Sequence, residues 1–284
     1  VALLRLFRAS SYFFPQVCLA ALGCTLVLGV ECAGCEDRGP VAPNISPERR
    51  SESEYDVARD YFFKAQPRQA LDHIHNAVRF NPENSKALYF ASAIQLFFCS
   101  GKLELLDPDC RLADAEDYVR RALKSDPNFR EAKNTLGQVL ILEKRYGEAI
   151  DVLAPLTKDP SFESSYLAWG NLGWAQTLSG QIDQGIESLK NSITEPRFCV
   201  GHYRLGVAYQ MKGDLASAEQ AFTSAVSVDA PECTGLQDAW AARAAVRARL
   251  GKTADARADF EKCRNLAPDT LAGKGCIEAL PRLP

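Results

Sequence analysis

The chain has 284 residues, 46% of them hydrophobic, with 33 lysines and arginines against 36 aspartates and glutamates. A formal net charge of −3 at pH 7 excludes the extended cationic surface that nucleic acid demands. Ten cysteines suit an oxidising compartment better than a reducing one.

At the N-terminus, Arg5 and Arg8 precede a run from Ala9 to Val30 without a charge, which ends at Glu31, Cys32, Ala33, Gly34 and Cys35. A basic start, an apolar stretch and small residues at its end are the layout of an export signal. Ala33, Gly34 and Cys35 resemble the lipobox of bacterial lipoproteins, in which the cysteine is acylated and becomes the first mature residue. On this reading residues 1–34 are a signal peptide and Cys35 is the lipidation site, with Cys32 standing where leucine is usual. Cleavage at Leu22, Gly23 and Cys24 is a rival, and so is a retained membrane anchor, because about 20 apolar residues cross a bilayer. Pro15 and the small residues before Cys35 favour cleavage there, and either way the domain is exported and tethered. Residues 35–53, rich in proline, serine and charge, read as a lipidated flexible tether. Loss of the signal takes two arginines and one glutamate with it and leaves 31 basic and 35 acidic residues, so no nucleic-acid partner is expected.

The rest of the chain repeats one pattern. His202, Leu205, Gly206, Tyr209, Ala218, Phe222, Ala225 and Pro231 have the spacing of a tetratricopeptide repeat, two helices packed through small residues. The same ruler fits Trp169, Leu172, Gly173, Gly185, Leu189 and Pro196 upstream, and Trp240, Ala244, Ala256, Phe260 and Pro268 downstream. Leu136, Gly137, Ala149 and Leu153 form a further copy, and weaker ones sit around Ala58 and Ser92. The anchor positions Ala58, Ser92, Gly137, Gly173, Gly206 and Ala244 lie 34, 45, 36, 33 and 38 residues apart, so only the second repeat carries a large insertion. Asn81-Pro82, Asp126-Pro127, Asp159-Pro160 and Glu195-Pro196 punctuate the copies. No stretch alternates in the manner of a strand. The expected fold is all-α: a right-handed superhelical solenoid of about six hairpins over residues 54–268, closed by a capping helix and tail at 269–284. Pro155 is expected to kink or shorten its helix.

Four cysteines fall in the signal or lipobox, leaving Cys99, Cys110, Cys199, Cys233, Cys263 and Cys276. Cys99 and Cys110 flank the insertion, Cys199 and Cys233 each follow a helix-stopping proline at the entrance of successive repeats, and Cys263 and Cys276 lie in the last second helix and the cap. These positions suggest Cys99–Cys110, Cys199–Cys233 and Cys263–Cys276 among the fifteen connectivities open to six cysteines. Free thiols in alanine-rich cores are the alternative.

Little in the chain points to chemistry. His73 and His75 are two apart on a helix and diverge, whereas a zinc site wants ligands three or four apart. His202 occupies a packing position held by Trp169 and Trp240 elsewhere. Cys32 and Cys35 form a CxxC with no βαβ pattern after it. Glu104, Asp107 and Asp109 on the insertion could hold a weak calcium ion, although a solvated charged loop accounts for them as well. No enzyme activity, cofactor or metal is expected.

Binding is the remaining class. First helices of stacked hairpins line a concave groove, and the ruler assigns to it Tyr89, Ala93, Leu96 and Phe97, then Asn134, Gln138, Ile141 and Leu142, then Trp174 and Leu178, then Tyr203, Val207 and Met211. Such a surface suits an extended or helical peptide with apolar anchors. It suits an acidic tail poorly, because the set contains no lysine or arginine. Some members, Trp174 above all, are alternatively read as packing between hairpins.

An export signal ending in a lipobox, a short tether and six repeats together resemble the pilotin lipoproteins of type IV pilus systems, the PilF, PilW and Tgl group. The stretches YLAWGNLGWAQTLSG from Tyr166 to Gly180 and FCVGHYRLGVAYQMKGD from Phe198 to Asp214 are most similar to the Tgl branch. The resemblance implies an outer-membrane lipoprotein facing the periplasm, anchored through Cys35, that binds secretin subunits and promotes their assembly. The cysteine pairs and the insertion depart from the plainer members. A general envelope scaffold for cell-wall enzymes or β-barrel assembly shares the same features and stays open.

Overall fold

The computed structural model describes residues 45–99 and 109–283. Among them are thirteen α-helices and no strand: α1 (Pro47–Phe63), α2 (Pro67–Phe80), α3 (Ser85–Cys99), α4 (Leu112–Ser125), α5 (Arg130–Leu142), α6 (Tyr146–Leu156), α7 (Ser165–Leu178), α8 (Ile182–Ser192), α9 (Cys199–Lys212), α10 (Leu215–Ser227), α11 (Gln237–Arg249), α12 (Thr253–Leu266) and α13 (Leu271–Ala279). Pairs α1/α2 to α11/α12 are six antiparallel hairpins, and α13 with a short 3-10 turn at Leu280–Arg282 closes the stack. The chain divides after Ser46, and the hairpins belong to one unit.

The second helix of each hairpin buries one stripe at spacings of four and three, as with Ala115, Val119 and Ala122 in α4 or Ala218, Phe222 and Ala225 in α10. First helices have neighbours on more sides, and α3 buries residues all round, from Ala87 to Cys99. At the crossings the anchor residue must be small. A Cβ at Gly206 would lie 2.5 Å from the Phe222 ring, one at Gly137 2.5 Å from Leu153, and one at Gly173 2.8 Å from the Gly185 carbonyl oxygen.

Both kinds of turn have a recurring local cause. Between hairpins, the side chain before each proline accepts the backbone N–H two residues on: Asn81 from Glu83, Asp126 from Asn128, Asp159 from Ser161 and Glu195 from Arg197. Within hairpins, a left-handed residue reverses the chain at Ala65, Lys144, Gly180, Gly213 and Gly251. Each of these lies seven residues after its anchor.

One expectation changes. The first helix begins at Pro47 rather than near residue 54, because Ser51 is fully buried and its hydroxyl accepts a hydrogen bond from Asn84 at 2.9 Å. Helical structure thus takes over residues 47–53, which composition alone assigned to the tether. Pro155 sits in the final turn of α6, which ends at Leu156, and α8 without a proline is equally short at 11 residues.

Three disulfides join Cys99 to Cys110, Cys199 to Cys233 and Cys263 to Cys276. The second fixes the start of α9 to the α10–α11 loop inside an apolar cluster with Ala230, Val200, Val228 and Leu236. The third fixes α12 to the cap. Closing loops of these lengths contributes about 3 kcal/mol each in the chain-entropy picture.

Candidate partner-binding groove

Each first helix also touches the first helix of the next hairpin, while second helices do not meet one another to that extent. The first helices therefore crowd the inner side of the curve, and their outward residues line its concave face.

Their positions along each helix decide which residues reach that face. The residues five after the anchors are Phe97, Leu142, Leu178 and Met211. Leu142 and Met211 are exposed, at 44% and 48%, and Phe97 and Leu178 are half-buried. Gln138, Trp174 and Val207, one after the anchors, are half-buried. Tyr89, Ala93, Leu96, Asn134 and Ile141 are buried and do not line an open groove, a correction to the sequence reading. Their physical reason is the seam between successive first helices. Tyr89 packs on Phe129 at the entrance of α5 with ring centroids 4.9 Å apart and hydrogen-bonds Thr135, and its burial pushes the phenol up to about 12. Asn134 accepts from Asn171 Nδ2 of α7 at 2.9 Å. Tyr203 is half-buried against Phe222, at 5.9 Å, and with Val207 packs on the cluster that includes Val246 of α11, so its phenol too is pushed up to about 12 by desolvation.

Sequence reasoning missed Arg204. It belongs to the same wheel position as Asn171, and its Nη1 donates to Asn171 Oδ1 at 2.8 Å and to the Gly170 carbonyl at 3.0 Å. Asn134, Asn171 and Arg204 thus form a polar ladder across α5, α7 and α9. The guanidinium carbon stands 5.8 Å from the Trp174 ring centre. An arginine thus stands at the seam between α7 and α9, beside Trp174 of the groove set, which itself contains no lysine or arginine. The only signal available in sequence was its place two residues before the anchor Gly206.

The other candidates are structural. His73 Nδ1 is 2.6 Å from Glu54 Oε2 and its ring stacks on Tyr61. His75 is half-buried against Tyr118, and desolvation lowers its pKa. His202 is half-buried with its pKa lowered by desolvation. Asp109 pairs with Arg68 at 2.7 Å, while Glu104 and Asp107 lie outside the described residues, as do Cys35, the signal and most of the tether. Among the described residues no group of acidic, histidine or cysteine side chains is arranged to hold a metal. No helix among them is long and apolar enough to cross a membrane.

Tetratricopeptide-repeat models match residues 111–161 and 201–231. No curated protein sequence matches the chain. Among solved structures, PilW, a widely conserved type IV pilus biogenesis factor, is similar at TM-score 0.65 and 21% identity, over 80% of this chain and 98% of that one. PilF of Pseudomonas aeruginosa is similar at TM-score 0.60 and 16% identity, over 82% of this chain and 98% of that one. MamA of Desulfovibrio magneticus RS-1 is similar at TM-score 0.50 and 20% identity, over 63% and 95%. Together with the helix order, these likenesses establish that the described residues form a tetratricopeptide-repeat solenoid of six hairpins and a cap.

Proposed function

We propose that this chain is a lipid-anchored type IV pilus biogenesis factor of the outer membrane, a pilotin whose concave face binds secretin subunits and promotes their assembly. The observation that carries the reading is the extent of the likeness: this chain covers 98% of PilW and 98% of PilF. The lipobox-like Ala33-Gly34-Cys35 and three disulfides support an exported protein. The stretches at 166–180 and 198–214 favour the Tgl branch of that group.

Two physical effects act together in such a protein. Acyl chains on Cys35 contribute about 0.8 kcal/mol per buried methylene and hold the solenoid at the membrane. Tethering then raises the local concentration of captured subunits where they insert. Replacing Cys35 by alanine is expected to leave helix content unchanged, to release the protein from outer-membrane fractions and to reduce detergent-resistant secretin multimers. Unchanged multimers on an immunoblot would count against the mechanism. Co-purification that recovers a cell-wall hydrolase or a β-barrel assembly component instead of secretin favours the envelope-scaffold reading.

A further inference from the structure

The first hairpin closes one end of the solenoid, and the start of α1 meets the end of α2 there. Arg50 and Arg79, both exposed, stand around the half-buried Phe80 ring, with their guanidinium carbons 5.8 and 5.7 Å from its centre. Neither has a carboxylate among the described residues: Arg50 has only the ring, and Nη2 of Arg79 donates to the neutral Asn76 Oδ1 at 3.0 Å. Exposed arginines such as Arg120 on Glu116 at 2.6 Å and Arg121 on Asp117 at 3.1 Å face carboxylates four residues away. Lys86 adds a third exposed cation from the first turn of α3, whose start is held beside α1 by the bond from Asn84 to Ser51. The acids of α1 do not neutralise this group. Glu48 and Glu52 lie two residues to either side of Arg50, about 200° round the helix, and Glu54 meets His73 at 2.6 Å. Glu83, in the turn after α2, offsets one of the three charges. Two cations around one ring repel each other, so an anion placed between them is favoured by both.

Chain connectivity points to the anion. Residues 36–46 separate Cys35 from Pro47, and an extended chain spans no more than about 3.6 Å per residue, so the start of α1 lies within about 40 Å of whatever holds Cys35. A phospholipid surface presents phosphates in a dense array above an apolar layer that accepts an aromatic ring.

We propose that the end of the first hairpin formed by Arg50, Phe80 and Arg79 is a membrane-docking surface, which seats on anionic phospholipid headgroups and orients the solenoid on the bilayer. This rests on the reading of Cys35 as the lipid anchor and adds an orientation to it. Acyl chains fix one point of the protein, whereas a second contact decides which side of the solenoid turns away from the membrane. Because the anchor holds that contact within reach of the surface, a few cations suffice to make it.

The test uses the mature lipidated chain, purified from membranes in detergent and reconstituted into vesicles of phosphatidylethanolamine with phosphatidylglycerol, or of phosphatidylcholine alone. A donor dye is attached through Ser53→Cys on the first hairpin or through Ala254→Cys on α12, both exposed positions, and energy transfer to a headgroup-labelled lipid reads the distance from the membrane. Transfer from position 53 is expected to be high on vesicles that contain phosphatidylglycerol, to fall on phosphatidylcholine and in high salt, and to exceed transfer from position 254. Arg50→Gln and Arg79→Gln should each lower the ratio of docked to undocked protein about fivefold, while flotation with the vesicles and the helical circular dichroism stay unchanged. Transfer that ignores lipid charge, that survives the double variant or that is equal from both dyes overturns the inference and leaves the anchor standing. Failure of the unsubstituted chain to float with vesicles takes down the anchor and the inference together.

Discussion

Seven residues after five of the six anchors the backbone turns left-handed, and the residue type there differs from hairpin to hairpin. Three hairpins place glycine at this point, with φ between 75° and 87°, whereas Ala65 and Lys144 hold φ of 58° and 62° with a Cβ present. An L side chain in that region is strained by roughly 1–2 kcal/mol, part of which glycine gives back as chain entropy. Lys144→Gly is therefore expected to stabilise the domain by about 0.5–1 kcal/mol, and Gly180→Ala to destabilise it by a similar amount. Urea midpoints at unchanged slope measure both. The glycines announce this turn in the sequence, but Ala65 and Lys144 do not, because register and neighbouring helices, rather than their own preference, hold them there. Groove residues divide for a related reason. Leu96 and Phe97 are chain neighbours, yet one is buried and the other half-buried, since a single step turns a side chain by about 100° on a helix.

At the scale of elements, the last two hairpins share a buried ion network, whereas the ion pairs between earlier hairpins, such as Arg145 with Glu116 and Lys212 with Asp183, are more exposed. Arg243, 7% exposed, grips Asp259, 3% exposed, through two hydrogen bonds of 2.8 and 2.7 Å. Arg247 adds a bond of 2.9 Å to Asp259 and one of 3.0 Å to Glu219 of α10, which Lys252 also meets at 2.6 Å. Removing one member of such a buried group strands the rest, so Asp259→Ala is expected to cost about 3–5 kcal/mol. The paired replacement Arg243→Met with Asp259→Leu should recover much of that loss, as read by thermal unfolding. Repeat spacing placed α11 and α12 but carried no sign of this network, which exists only because α10, α11 and α12 converge. Arg204 was hidden for the same reason: it stands on α9 and the Gly170 carbonyl and Asn171 side chain that it meets stand on α7.

Over the whole solenoid, each hairpin is stabilised by its neighbours, so the ends differ from the middle. α13 covers the last hairpin: Ala272 and Cys276 complete a cluster with Ala244, Phe260 and Cys263, and Leu280 and Leu283 pack against it. Truncation after Pro268, with Cys263→Ser to avoid a free thiol, is expected to speed amide exchange in α11 and α12 while leaving α1 to α4 near their original protection. Uniform loss of protection along the chain would contradict a nearest-neighbour solenoid.

Six hairpins, their order and the position of their turns were determined by the sequence alone, because helix periodicity, small anchors and proline punctuation are local and recur with one period. Which first-helix residues sink into seams and which face the concave surface was decided only by tertiary structure, as was the placing of Arg204 against Asn171 and Trp174. Burial and charge pairing depend on elements distant in the chain, and no local pattern carries that information.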